Sequence, residues 1–405
     1  MLDHFLAARG DELIALRRDL HAHPELGRHE HRTTDVIAAR LRAAGLSPRT
    51  LGAGTGVICD VGTGGGPLIA LRADIDALPI TDVKDVPYRS TFDGVCHACG
   101  HDVHTAVLVG AGLALAQQTA ALPGRVRLLF QPAEEVMPGG AIDAIQDGAL
   151  DDVAAIFGLH CHPAIEVGDV GLRSGAITAA ADLVEITVSG PGGHTARPHA
   201  TSDLVYVAAR VVTDLPAGLS RLIDPRDALS LVFGAVSAGA APNVIPRVAT
   251  LRGTVRMLGD TAWRDAPKVI DRLLAAIVEP LGASYELAYT RGVPPVCNEP
   301  VATAVFEAGI VDALGPAAVV PTEQSFGGED FAWYLQQVPG AMARLGVRPG
   351  TGASDLHTAN FDVDERSIAV GVRVMVSTAL AAMTAYGAAV APADASFAQA
   401  AISPR

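Results

Sequence analysis

An alternation of apolar strands and helices, broken once by a block of different order, constrains this chain more than any other feature. Leu, Ile and Val recur at helical spacing over residues 11–22 and 32–45. Apolar strands follow at about 56–61 and 67–73, then a long helix over 101–118, a strand at 126–131, a helix at 141–147 and a strand at 154–159. Strands separated by helices must run parallel, because each crossover returns the chain to the same end of the sheet. The expectation is an α/β fold with a mostly parallel sheet covered on both faces. The glycine run Gly62-Thr63-Gly64-Gly65-Gly66 lacks a following Lys-Ser/Thr and leads into a strand, so it predicts a hairpin turn and no phosphate loop.

After about Ala180 the order changes. A strand at 183–189, a helix at 202–215, strands at 228–237 and 249–258, a helix at 263–277 and a strand at 284–289 give βαββαβ, the split unit of a ferredoxin-like domain. Strand–helix alternation resumes from Val301 to about Tyr386, with short buried strands at 319–320 and 342–345 and a last helix at 365–385. The block is therefore an insertion. The expected divisions are a main domain over 1–180 and 293–387, an inserted α+β domain over 181–292, and a disordered Ala/Pro/Ser-rich tail over 388–405.

The bulk numbers exclude several classes of function. A 405-residue chain that is 49% hydrophobic can build one large core or two domains. A formal charge of −14 repels polyanions, so no nucleic acid is expected as a partner. Five scattered cysteines, an odd number, argue for a reducing compartment and against a disulfide framework. The first residues lack the basic and apolar regions of a signal peptide. No apolar run reads as long and uncharged enough to span a bilayer, so a cytoplasmic protein without a membrane partner is expected.

Polar residues gather where the inferred strands end. Cys99 and His101 sit in a glycine-containing loop before a helix, Glu134 and Glu135 follow the strand ending in Gln131, His160 ends a strand, and His357 lies in a late loop. Ligands of an open parallel sheet converge outside the carboxyl ends of its strands. Thiolate, imidazole and carboxylate together suit zinc, manganese, cobalt or nickel better than calcium or magnesium. Cys99, His101, Glu135, His160 and His357 make five ligands, too many for one catalytic zinc with an open position, so two divalent metals per chain are expected, with Cys99 able to bridge them. A metal lowers the pKa of bound water to about 7 in zinc enzymes. Adjacent glutamates then divide the work: Glu135 binds metal and Glu134 takes the proton as general base.

Other residues read less sharply. Asp74 and Asp76 follow a strand and either orient a ligand imidazole or cap a turn. Gly192-Gly193-His194 could supply an oxyanion donor, but its spacing alone favours a plain Gly/Pro-rich loop with an exposed histidine. Asn243 and Arg256 are candidates for binding a substrate carboxylate. Gly327-Gly328-Glu329-Asp330-Phe331 resembles a helix start that supports the site or merely caps a helix.

Eight segments, in order from about residue 70 onward, carry a resemblance. They are Arg72-Ala73-Asp74-Ile75-Asp76-Ala77-Leu78-Pro79-Ile80, His97-Ala98-Cys99-Gly100-His101-Asp102, Phe130-Gln131-Pro132-Ala133-Glu134-Glu135, Gly158-Leu159-His160, Gly192-Gly193-His194, Asn243-Val244-Ile245-Pro246, Glu329-Asp330-Phe331 and His357-Thr358-Ala359-Asn360-Phe361. Together they resemble the amidohydrolase branch of the aminoacylase/carboxypeptidase metallopeptidases, which includes hippurate hydrolases, auxin-conjugate hydrolases and N-acetyl-diaminopimelate deacetylases. The resemblance covers about residues 10–385. It implies a dinuclear centre on Cys99, His101, Glu135, His160 and His357, with Glu134 as base and Asp76 beside it. It implies that the inserted domain is a lid through which a homodimer or higher homo-oligomer forms. It also implies that His194 polarises the scissile carbonyl, often in the partner's site. Cys96 in place of Met, Val103 in place of Gly, and His-Thr-Ala-Asn in place of His-Ser-Pro depart from the pattern without removing a ligand or the base.

The expected reaction is hydrolysis of the amide bond of an N-acyl amino acid, a small-molecule substrate. A dipeptidase or carboxypeptidase on the same scaffold is the alternative, and a catalytically silent binding protein is the third reading.

Overall fold

A computed structural model describes residues 2–348, 350 and 354–388. The chain opens with α1 (Leu2–Ala22) and α2 (His31–Ala43), then β1 (Arg49–Thr50), β2 (Val57–Val61), β3 (Leu68–Asp74), α3 (His101–Ala116), β4 (Arg125–Gln131), α4 (Ala141–Gln146) and β5 (Val153–His162). Short strands β6 (Val170–Leu172) and β7 (Gly175–Ala176) follow. The inserted block contains β8 (Ala180–Ser189), β9 (Gly193–His194), α5 (Leu204–Leu222), β10 (Ser230–Ala238), β11 (Val244–Ile245), β12 (Val248–Met257), α6 (Asp260–Val278) and β13 (Ser284–Val293). The chain returns through β14 (Cys297–Asn298), α7 (Pro300–Leu314), β15 (Val319–Pro321), α8 (Ala332–Leu335), β16 (Gly340–Gly346) and α9 (Arg366–Ala388).

The main sheet has eight strands in the order β1-β2-β4-β3-β5-β16-β6-β15. Its centre, β4-β3-β5-β16, is parallel, while β2 and β6 run antiparallel to their central neighbours. The sheet is thus mixed, with the expected parallel order at its centre. Every residue of β3 and of β16 is buried, as a sheet covered on both faces requires. One face packs on α1, α3, α7 and α9 through Leu13, Leu16, Val107, Phe157 and Val372. The other packs on α4 and α8 through Ala144, Ile156, Phe331 and Met342.

The inserted block forms a separate antiparallel sheet in the order β10-β12-β8-β13, with α5 and α6 on one face. Strand β8 alternates buried and more open residues, the period of a sheet covered on one side. Val184, Ile186 and Val188 point into a core of their own with Val211, Leu215, Ile270 and Leu274.

Four expectations need correction. The glycine run 62–66 is no hairpin, because β2 pairs with β4, which separates it from β3. The run crosses the start of β4, where a Cβ on Gly64 would lie 2.6 Å from the Leu122 carbonyl oxygen. Turn composition reports a bend; it does not say which strand is paired next. Strand β15 is a half-buried edge strand, and the residues at 319–320 are not fully buried. Helix α9 is, over Arg366–Gly387, long and apolar enough to cross a bilayer, yet 61% of that window is buried inside the protein, so its apolarity serves the core. The tail expected from 388 begins with Ala388 closing α9, and 389–405 lie outside the described residues.

Gly64→Ala is expected to destabilise the protein by about 1–3 kcal/mol, because the crossing has no room for a methyl group. Urea denaturation measures this, and an unchanged midpoint would contradict the crossing.

Candidate metal centre

Strands β3, β4 and β5 deliver their polar residues to one end of the parallel centre. The loop before α3 brings Cys99 beside them. Gly100, at φ +89°, turns that loop into the helix, and a Cβ there would meet the Cys161 sulfur at 2.8 Å. The same helix start places His101 inward, fully buried. Ala133 and His357 also hold left-handed backbone, at φ 58° and 61°. Non-glycine residues adopt that region at a cost and persist where surroundings over-determine them. Ala133 N donates to Glu30 Oε1 at 2.7 Å, and His357 N donates to the Ala98 carbonyl at 2.8 Å. The second bond ties the late loop directly to the cysteine loop.

The five expected ligands converge. Ligand atoms of Cys99, His101 and His160 lie within 4.8 Å of one another, and so do those of Cys99, Glu135 and His357. Cys99 belongs to both groups, as a bridging thiolate must. Two of the three imidazoles are oriented by their other nitrogen. His101 Nδ1 donates to Asp76 Oδ1 at 3.2 Å, and His160 Nδ1 donates to the Cys161 carbonyl at 2.8 Å. This leaves both Nε2 atoms facing the centre, with His160 Nε2 at 3.4 Å from Cys99 Sγ. Asp76 Oδ2 also accepts from Glu135 N at 3.0 Å, so one carboxylate positions two ligands.

These residues fit a pair of divalent cations on two observations. His101 Nε2 and Glu135 Oε1 are buried and make no hydrogen bond, an expensive arrangement unless something binds there. His357 Nε2 comes within 3.1 Å of that Oε1 but is not aligned to bond it. The cluster is also overloaded with negative charge. Burial and the neighbouring Glu329 and Glu135 push the Glu134 carboxyl well above its ordinary range. Burial and Glu135 do the same to the Cys99 thiol. Burial pulls His101 down, but Asp74 and Asp76 outweigh it and hold the imidazole up at about 10. Cations among these groups reverse each of these penalties.

A sequence profile of the peptidase family M20/M25/M40 matches residues 70–381. The chain belongs to that family. A crystal structure of a Bacillus subtilis dinuclear metal-binding peptidase of family M20 superposes with a TM-score of 0.83 at 34% identity, covering 93% of this chain and 99% of that one. An N-acetyl-L-cysteine deacetylase of Bacillus subtilis is 40% identical over 88% of this chain and 85% of its own length. A Rhodococcus jostii protein described as a putative glutamate–cysteine ligase is 48% identical over 90% of this chain, which spans 46% of that protein's length.

Within this M20 centre, Glu134 lies half-buried beside His101 and Glu135, outside the two groups that share Cys99. The remaining expected residues are spread more widely. Arg256 lines a cavity of about 410 Å³ next to the metal cavity and donates to the Phe326 carbonyl. His194 is exposed on β9, and its Nδ1 accepts from Ala196 N at 3.0 Å. Asn243 is exposed beside it, its carbonyl accepting from Thr195 N at 3.3 Å. Neither His194 nor Asn243 lines the metal cavity or its neighbour.

Sequence reasoning missed His104 and gave Arg72 no role. His104 Nδ1 donates to Asp74 Oδ1 at 2.5 Å while its Nε2 accepts from Cys161 N at 2.8 Å. Its ring thereby joins the ends of β3 and β5. One turn after His101 on a ligand-bearing helix, it was the one histidine whose spacing could have flagged it. Glu329 and Asp330 close on Arg72, at 3.1 and 2.9 Å from its Nη2. Arg72 itself was quoted only as part of a motif.

Asp76→Ala is expected to lower metal affinity roughly 10–100-fold, the usual effect of losing a partner that orients a ligand. Competition with a chelator measures it, circular dichroism serving as the check on folding; unchanged affinity would remove Asp76 from the site.

Proposed function

We propose that this protein hydrolyses the amide bond of N-acyl amino acids. The observation that carries the reading is one half-buried carboxylate, Glu134, left over beside a centre whose other side chains are all arranged as ligands. The relative named as an N-acetyl-L-cysteine deacetylase supports a substrate of this class. Cys99, His101, Glu135, His160 and His357 would hold two divalent cations, zinc, manganese, cobalt or nickel by the chemistry of the donors. When bound, the cations supply Lewis-acid polarisation of the amide carbonyl and an acidified water.

The chain's own residues do the rest. A Glu134 carboxylate oxygen takes a proton from the attacking water and then delivers it to the leaving nitrogen. Asp76 keeps His101 and Glu135 in place meanwhile. Arg256, on the wall of the adjoining cavity, would bind the amino acid's carboxylate with its fork of donors.

The inserted unit, ferredoxin-like in its strand order, is proposed to act as a lid and as the contact of a homodimer. Its β10 edge and the exposed Leu183, Val232, Val236 and Val248 support an interface. His194 and Asn243 would then serve the partner's site, with His194 donating to the oxyanion that develops there. Five free thiols support a cytoplasmic location. A dipeptidase would use the same centre, and comparing N-acetyl amino acids with dipeptides separates the two.

Glu134→Gln is expected to lower kcat by about 10²–10⁴ while two metals per chain remain by elemental analysis. Full activity in that variant sinks the mechanism. Co-expression of Glu134→Gln with His194→Ala chains tests the partner's role. Mixed dimers should regain activity that neither parent has, and no regain means that His194 does not act across subunits.

A further inference from the structure

Among the described residues three arginines are buried: Arg17, Arg72 and Arg344. Arg17 is saturated, with Asp102 at 2.7 Å, Asp362 at 3.0 Å and Glu365 at 3.4 Å. Arg72 is saturated as well, with Asp74 at 2.6 Å, Asp330 at 2.9 Å and Glu329 at 3.1 Å. Arg344 is only 6% exposed, yet among the described residues it has no carboxylate within 4.0 Å.

Its direction is fixed by the sheet. Along β16, Ala341, Ala343 and Leu345 enter the core beneath α3 and α9, and Met342 enters the opposite core. Alternation puts Arg344 on the face of Met342. The register sets it directly beside His160. Arg344 accordingly lines the metal cavity of about 340 Å³, together with Cys99, Glu134, His160 and His357.

A guanidinium keeps its charge even when burial pulls its pKa down, as it does here. A buried charge is stable only when paired. The cations that belong in this cavity repel a guanidinium and do not meet its need. Glu329, Cys99 and Glu134 act on it from a distance, and none is in contact. An anion entering the cavity would give it a partner. Arg256 stands in the adjoining cavity, and both cavities share Glu134 and His357. The two cavities that meet at Glu134 and His357 thus hold one arginine each.

We propose that Arg344 is a specificity-determining residue that binds a carboxylate on the acyl half of the substrate. The preferred substrates are then N-acyl amino acids whose acyl group ends in a free carboxylate, such as N-succinyl amino acids. This rests on the amide-hydrolase reading above, with Arg256 taking the carboxylate of the amino acid half. A bidentate arginine–carboxylate pair gives both the energy and the directionality needed for such selection.

The test compares N-succinyl-leucine with N-succinamoyl-leucine, which has the same size and a neutral end, using metal-loaded enzyme. The wild-type ratio of kcat/KM is expected to favour the succinyl compound by roughly tenfold or more. Arg344→Met should bring the ratio to about one, mainly through KM, and Arg344→Lys should keep part of it. Metal content and Tm of each variant report on any structural loss, which would lower both substrates together and leave the ratio intact. A wild-type ratio near one overturns the proposal, and so does a ratio that survives Arg344→Met. If neither compound nor N-acetyl-leucine is cleaved, the amide-hydrolase reading fails. Calorimetric binding of the two compounds to Glu134→Gln protein then decides Arg344 by itself. Tighter binding of the succinyl compound, lost on adding Arg344→Met, supports its role, and equal binding ends it.

Discussion

Arg72 lies buried where β3 and β4 pass into their loops, and its guanidinium meets Asp74, Glu329, Asp330 and the Gln131 side chain. Gln131 in turn donates to Asp330 and accepts from the Tyr334 hydroxyl at 2.9 Å. The late Glu329–Asp330 turn is thereby anchored to strands whose residues lie 199 to 258 positions earlier in the chain. Removing one member of a buried, paired set leaves the others uncompensated, which costs about 3–5 kcal/mol. The floor of the site is rigid for this reason.

The same guanidinium divides the negative charge of the site in two. Asp74, Glu329 and Asp330 share the single positive charge of Arg72. Cys99, Glu134 and Glu135 have no arginine in contact, and the buried Glu135 Oε1 is left without a hydrogen bond. Divalent cations therefore complete the fold's electrostatics as well as its chemistry. Asp74 links the halves, since it also receives the His104 imidazole that braces the Cys161 backbone behind His160.

Much of this was legible in the sequence, for identifiable reasons. Central strands such as β3 and β16 are buried on both faces, so they read as short apolar runs between glycine-rich breaks. The metal ligands stood out because polar residues flanked by glycine, directly after apolar strands, have few structural uses. The pairing of β2 was not legible, since a flexible glycine run permits a hairpin and a crossing alike. His104 was hidden by its company: α3 is buried on nearly every side, and a histidine on such a helix looks like core. Arg344 was hidden in the same way, as one polar position inside a short strand expected to be buried. Buried polar partners are chosen by three-dimensional register, and register across distant strands leaves no local mark.

The inserted unit meets the main domain through two strands that lie side by side. Ala181 of β8 pairs with Val293 of β13, so both crossings of the chain occur at one place. Asp182 locks them, accepting from Gly292 N at 2.8 Å, Trp263 Nε1 at 3.2 Å and the Tyr289 hydroxyl at 2.6 Å. A unit with its own core, joined at one such place, moves as a body if it moves at all. Arg256 travels with it, while Arg344 and the metal ligands stay on the main sheet. A substrate held by both arginines bridges the two bodies, so its binding energy acts directly on their separation. If the two arginines bind the two ends of one substrate, selection of the substrate and closure over the reacting bond become one event.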